Sequence, residues 1–221
     1  MNNEIYLNIF TLDWTMGDAY DFDIWVQEGC TWVVEWGDGR VDRCRGNGKW
    51  QGIIHNYLFK EYGYHIHLYT EDGVDILGFN ASGYEVNVNR VDTSHCPSLL
   101  SLQSVSAVQI DVSANPLLKK LICEDCGFET LDLSHNPALE VLWCRSCRNL
   151  TRLNLSHNVA LRELNIAFSG VKKLGLSNRS ALQWVDYQYS NLDAKSEEYL
   201  LRIIGQNGGA VVKPYDSEDE E

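Results

Sequence analysis

The apolar positions of this chain follow two rhythms, and the change between them falls near residue 88. Before it, short β-branched and aromatic runs predict strands: IYLNIF, FDIWVQ, TWVVEW, GYHIHLY, VDILGF and YEVNVN. Turn residues separate them, at Glu28-Gly29, Gly37-Asp38-Gly39, Gly46-Asn47-Gly48, Glu71-Asp72-Gly73 and Ser82-Gly83. Several short strands at regular spacing predict a β-sandwich.

After it, one pattern returns at near-constant intervals. VDTSHCPSL starts at Val91, IDVSANPLL at Ile110, LDLSHNPAL at Leu131, LNLSHNVAL at Leu153 and LGLSNRSAL at Leu174, steps of 19, 21, 22 and 21 residues. Each copy opens on an aliphatic residue, and Cys96, Asn115, Asn136, Asn158 and Asn178 fill its turn. Half a period out of phase run LKKLICEDCGF from Leu118, LEVLWCRSCRNL from Leu139, LRELNIAFSGV from Leu161 and LQWVDYQYSNL from Leu182. In LEVLWC the spacing puts Leu139, Leu142 and Cys144 inward and Val141, Trp143 and Arg145 outward. A coil of this length cannot bury its own apolar face, so stacked neighbours must cover it and the ends need caps. The turn asparagines can bond the backbone of the adjacent coil through their amides.

A helix over 193 to 204 supplies the downstream cap: Asp193 as N-cap, Glu197 and Glu198 near the positive end, and Gly205 as its stop. Leu200, Leu201, Ile203 and Ile204 are predicted to cover the last coil.

The second frame matches L-x-x-L-x-L-x-x-N/C-x-L, the leucine-rich-repeat signature. Nested LxxLxC and LxxLDL half-units resemble the bacterial "IRREKO" subclass of that family, over about a hundred residues. VVEWGDG (Val33 to Gly39) followed by HNYLFKEYGYHIHLY (His55 to Tyr69) resembles a polycystic-kidney-disease (PKD)-like domain, with a long Gly-rich loop, Arg40 to Gly52, as the departure from that pattern. That resemblance implies a small immunoglobulin-like sandwich used for interaction or spacing. The expected fold is therefore mainly β with some α. Residues 1–88 form the PKD-like sandwich, 89–192 a solenoid of about five coils, 193–213 the helical cap and 214–221 a disordered acidic tail.

Composition narrows the function. The chain has 221 residues and a formal net charge of −13, which repels phosphate backbones, so no nucleic-acid partner is expected. No apolar run is long enough for membrane insertion, and the first residues lack the pattern of a secretory signal. The expectation is a cytoplasmic monomer, or a secreted or cell-surface protein if a leader precedes the first residue.

Cys123, Cys126, Cys144 and Cys147 have the spacing of a four-cysteine zinc site. The repeat frame instead assigns all four to core positions, where a thiol packs as a small hydrophobe; zinc and a Cys126–Cys147 disulfide are the alternatives. Asp38 is expected to cap its turn, with calcium at Asp38 and Asp42 as the alternative. His95, His135 and His157 recur at one repeat position, and His65 and His67 share a strand face. No nucleophile, metal or phosphate motif appears, so no catalytic residue, metal or cofactor is assigned and the chain is not expected to be an enzyme.

What stands out is an outward strip of Ile122, Trp143, Phe168, Trp184 and Tyr189, flanked by Glu124, Arg145 and Asp186. Aromatics around an arginine are the usual composition of a binding hot spot. The expected function is protein or peptide binding through the repeat face. The alternatives are zinc binding by the four cysteines and a purely structural surface spacer.

Overall fold

The computed structural model describes residues 4–10, 19–57, 63–71, 73–81, 87–105 and 107–212. The Ser82-Gly83 turn and the acidic tail lie outside them. The first half contributes β1 (Glu4–Phe10), β2 (Ala19–Val26), β3 (Thr31–Glu35), β4 (Val41–Arg45), β5 (Trp50–Asn56), β6 (Tyr64–Thr70), β7 (Ile76–Asn80) and β8 (Asn87–Asp92). These strands follow the β-branched and aromatic runs. β4 and β5 correct the expectation of a loop at Arg40 to Gly52. Among the described residues β4, VDRCR, pairs only with β3, and it exposes most of its side chains, so its polar composition hides the strand.

Strands β1, β3, β4, β6 and β8 pair antiparallel in one sheet and β2, β5 and β7 in another. Their inner residues meet: the Phe22 ring centroid lies 5.5 Å from Trp36 and 5.3 Å from Phe79.

The second half is a β-solenoid of five turns. On one face lie β9 (Ser101–Val105), β11 (Lys120–Glu124), β12 (Val141–Trp143), β14 (Glu163–Asn165) and β16 (Trp184–Asp186). On the other lie β10 (Gln109–Asp111), β13 (Arg152–Leu155) and β15 (Lys173–Leu176); then come α1 (Ala194–Gln206) and β17 (Ala210–Val212). No linker separates the halves. β9 pairs parallel with β7, and β10 pairs parallel with β8, so each N-terminal sheet continues into one solenoid face. The larger sheet has nine strands in the order β17-β16-β14-β12-β11-β9-β7-β2-β5.

One inward register row crosses it: Ile24, Phe79, Leu102, Leu121, Leu142, Leu164, Val185 and Val211. From Ile24 to Val185 its members are wholly buried, and Val211 is partly covered. Removing a leucine from the middle leaves a void that the strands on either side, fixed by their own ladders, cannot close.

The turns are held by a second row. The amide nitrogen of Asn115 donates to Thr93 O (3.0 Å) and Cys96 O (2.8 Å), Asn136 to Val112 O and Asn115 O (both 2.9 Å), and Asn158 to Leu133 O (3.0 Å) and Asn136 O (2.8 Å). Each asparagine thus ties its coil to the one before. Asn178 is a correction: it is exposed, and Ser180 takes the buried turn position of the fifth coil, with its N–H donating to Ser177 O. The row resumes beyond it, where Asn207 donates to Ser180 O and Leu182 O at 3.0 and 2.8 Å.

Asp193 caps α1, accepting from the Ser196 N–H at 2.8 Å. The helix runs past Gly205, which is helical. It ends on Asn207, with Gly208 in the left-handed region at φ 65°. Gly208 N–H bonds Gly205 O and Gly209 N–H bonds Ile204 O, the paired bonds of a Schellman turn. Leu200, Ile203 and Ile204 are buried, while Leu201 is only partly so. No helix among the described residues is long and apolar enough to cross a membrane.

Two predictions follow from these rows. Leu142→Ala should lower unfolding free energy by about 2–5 kcal/mol, and Asn136→Ala, which strands two buried carbonyls, by about 2–4 kcal/mol; urea titration reads both. The second concerns acid. The Ser134 N–H and hydroxyl hold the Asp132 carboxyl below its ordinary 3.8, and Ser196 does the same for Asp193. A depressed folded pKa gives stability that is present above 3.8 and lost as pH falls through the lower folded value. An Asp132→Asn/Asp193→Asn chain keeps the acceptors, so its melting midpoint should fall less steeply in acid than that of the parent.

Candidate functional site

In a parallel ladder of coils, equivalent positions stand side by side, and any side chain aimed outward meets its counterpart one coil away. The outward row beside the inward column reads Asn80, Gln103, Ile122, Trp143, Asn165, Asp186 and Val212. The next reads Gly78, Ser101, Lys120, Val141, Glu163, Trp184 and Ala210.

Ile122 and Trp143 are therefore direct neighbours, and Asp186 lies two strands along from Trp143, beyond Asn165. Trp184 falls in the other row, so the register does not join it to Trp143. Ile122 is 9% exposed, so this outward slot is covered, with Trp143 on one side and Gln103 on the other. Trp143 and Trp184 are half-buried; the Lys120 ammonium lies 5.9 Å from the Trp143 ring, and the indole N–H has no acceptor among the described residues. Glu124 ends β11 and is half-buried.

The aromatic continuity is at the turn that follows these strands. Among the described residues four non-glycine residues have positive φ, and they occupy one slot in successive coils: Asp125 (53°), Ser146 (60°), Phe168 (58°) and Tyr189 (53°). Backbone bonds repeat with them, Asp125 N–H to Arg145 O, Ser146 N–H to Ala167 O and Phe168 N–H to Gln188 O. The left-handed conformation costs an L-residue about 1–2 kcal/mol, and for a bulky side chain it is an outlier.

Phe168 and Tyr189 are 39% and 58% exposed, stack at 4.8 Å between centroids, and the Arg145 guanidinium stands 5.3 Å from the Phe168 ring. The structure therefore assembles Arg145, Phe168 and Tyr189 into one exposed cluster. The sequence contained the signal, an aromatic at the coil position where a turn residue belongs, but the strain is visible only in the backbone.

The cysteines sit inside. Cys123, Cys126, Cys144 and Cys147 are buried and unpaired; the Cys123 and Cys144 sulfurs approach to 3.3 Å, and the Cys147 thiol donates to Cys123 O at 3.0 Å. Among the described residues no group of three or more His, Cys, Asp and Glu has the arrangement of a metal site. The zinc reading is thus not supported: these thiols are stacked core positions bonded to sulfur and backbone. Cys96 is likewise buried, which pushes its thiol up to about 12.

His95, His135 and His157 are exposed, each within 3.3 Å of the preceding serine hydroxyl. His65 and His67 share one face of β6. His55 is different, and sequence reasoning missed it. It is buried, stacks on Trp36 at 4.5 Å, and its Nε2 lies 2.9 Å from Asp38 Oδ2. Burial opposes the Asp38 charge, but the Arg40 N–H and the His55 ring outweigh it and hold the carboxyl below its ordinary value. Asp38 Oδ1 accepts from the Arg40 N–H as the turn cap, and Asp42 accepts from the Trp36 indole at 2.7 Å. Both carboxylates named for calcium are thus engaged by internal donors.

No protein-family profile matches the chain, and no curated protein matches it. Nine solved chains do, among them the functional domain of InlJ from Listeria monocytogenes, described as including a cysteine ladder. The match has 19% identity and a TM-score of 0.38 and covers 48% of this chain. It spans about a third of the InlJ chain, 33%.

The strained slot yields a prediction without any partner. Ser146→Gly relieves the left-handed backbone and should stabilise by about 0.5–1 kcal/mol. Phe168→Gly gains the same relief but loses a stack worth about 0.5–1.5 kcal/mol and the burial of a ring that is only 39% exposed, so its midpoint should fall below that of the parent. Thermal unfolding of the two variants checks the difference.

Proposed function

We propose that this chain is a non-catalytic protein- or peptide-binding module whose contact surface is the edge formed by Arg145, Phe168 and Tyr189, extended onto the outward residues Glu124, Trp143, Trp184 and Asp186. Ile122 supports that surface from beneath. The observation that carries the reading is the pair of exposed aromatics held at positive φ. An exposed, stacked aromatic pair beside an arginine offers apolar area and a cation at low cost in side-chain entropy. Strain kept at an exposed position is a mark of a binding surface.

The same proposal places the repeats with the nested leucine-rich repeats and the first 88 residues with PKD-like domains. The LxxLxC and LDLSHN half-units on opposite solenoid faces support the first. The W-G-D-G turn closed by His55 and capped through Asp38 supports the second.

The test uses three chains as bait against lysate and surface fractions of the source organism: the parent, Ser146→Gly, and Phe168→Gly/Tyr189→Gly. A protein held by the first two and released at least tenfold by the third, with all three chains folded at the assay temperature, is the expected result; a loss of about 1.4 kcal/mol gives that factor. Equal retention by all three would move the contact elsewhere, and empty lanes throughout would leave the structural spacer as the better reading.

A further inference from the structure

Among the described residues the two large sheets end in four edge strands, β4, β5, β10 and β17. An edge strand presents a row of unpaired N–H and C=O groups to any second strand, and folded chains blunt it with charge, proline or brevity. β10 and β17 have three residues each, and β4 carries Asp42, Arg43 and Arg45. β5 is blunted by none of these. It has seven residues, Trp50-Gln51-Gly52-Ile53-Ile54-His55-Asn56, without a proline, carboxylate, lysine or arginine, in a chain of net charge −13. Its ladder partner among the described residues is β2, on one side alone.

The outer face of β5 is formed by Trp50, Gly52, Ile54 and Asn56. Ile54 is 62% exposed, the most open of the large apolar residues described. Trp50 is 40% exposed and leans back over its own sheet. Its ring lies 6.2 Å from that of Trp25 and fills the space that Gly78 leaves, where a Cβ would stand 2.6 Å away. The ring is thus fixed before anything meets it, and Gly52 leaves the face between it and Ile54 bare.

These positions match their own reversed copy. With a twofold axis through Gly52, antiparallel pairing sets Gly52 opposite the second copy's Gly52, and Ile54 opposite the second copy's Trp50 on both sides of the axis. An aromatic side chain against a β-branched one is a favourable cross-strand pair. Charge does not oppose the approach. Asp21 and Asp23, the acids on this face of β2, are in register with Ile54 and Gly52 and lie one strand behind them. Three strand spacings of about 4.8 Å therefore separate them from their counterparts, more than the Debye length of about 8 Å at physiological ionic strength.

We propose that β5 pairs antiparallel with β5 of a second copy about a twofold axis through Gly52, so that the two nine-stranded sheets become one. The protein is then a dimer, in place of the monomer expected from its sequence. β5 ends the sheet on one side and β16 stands near its other end, so the pairing leaves the Phe168–Tyr189 edge of each copy open.

The test is multi-angle light scattering on the full chain from micromolar to sub-millimolar concentration, with substitutions at the axis. Gly52→Lys sets like charges opposite each other in the dimer, whereas in the single chain the ammonium has the Asp23 carboxylate as its cross-strand neighbour. The parent should double its mass as concentration rises. Gly52→Lys should raise the dissociation constant about tenfold or more, with an unchanged melting midpoint in dilute solution. Gly52→Cys, oxidised with diamide beside the parent as background for the native cysteines, should cross-link into dimers. Ile54→Cys, offset from its counterpart by about 13 Å along the strand, should not. A parent that stays monomeric at every concentration overturns the proposal, whether the edge is then bare or takes a foreign strand. A dimer that survives Gly52→Lys puts the contact elsewhere and overturns it too, as does cross-linking of the Ile54→Cys chain but not of the Gly52→Cys chain.

Discussion

The structure depends on one inward row of apolar side chains that runs without a break from Ile24 through Leu142 to Val185 across the larger sheet. Its importance follows from the geometry of short coils. A strand of three residues, such as Val141–Trp143, contributes a single inward side chain, which has nothing to bury against except its equivalents above and below. The antiparallel pair β2 and β7 supplies the first members of the row, so the solenoid needs no separate upstream cap. α1 supplies the other end with Leu200, Ile203 and Ile204.

Burying the row creates a second requirement. Each tight turn draws backbone carbonyls into the interior, where an unmatched acceptor is costly. Asn115, Asn136 and Asn158 meet it with both amide hydrogens, at the expense of Asn136 Oδ1 and Asn158 Oδ1, which find no donor among the described residues. At the fifth coil a serine takes the turn, and Asn207, outside the repeat, restores the pattern. The apolar and amide rows act together: one fixes the distance between coils and the other their register.

Much of this was legible from the sequence because the repeat states it several times over. Leu121, Leu142, Leu164 and Val185 are equivalent by spacing alone, and so are the first four turn positions. Legibility failed where a feature occurs once. β4 is an edge strand that packs Cys44 alone against the core and exposes the rest, so VDRCR carries no apolar alternation. Asn178 aligned by residue type but lies two residues before Ser180, the position that the backbone buries. The His55–Asp38 contact joins residues on a strand and a turn that no local pattern connects. The outward strip was legible as composition but not as geometry, since two tryptophans on strands of one face fall in different register rows.

The left-handed slot shows why geometry matters for function. Where this chain needs positive φ to end a helix it uses Gly208, and among the described residues Gly29, Gly37, Gly39, Gly48 and Gly73 also take such angles. At the coil slot it uses an aspartate, a serine, a phenylalanine and a tyrosine instead, so the backbone requirement and the residue choice point in different directions. The small residues tolerate the angle with a modest penalty. Phe168 and Tyr189 stay 39% and 58% exposed at this angle, so what the turn presents outward is set by the register of the coils rather than by burial.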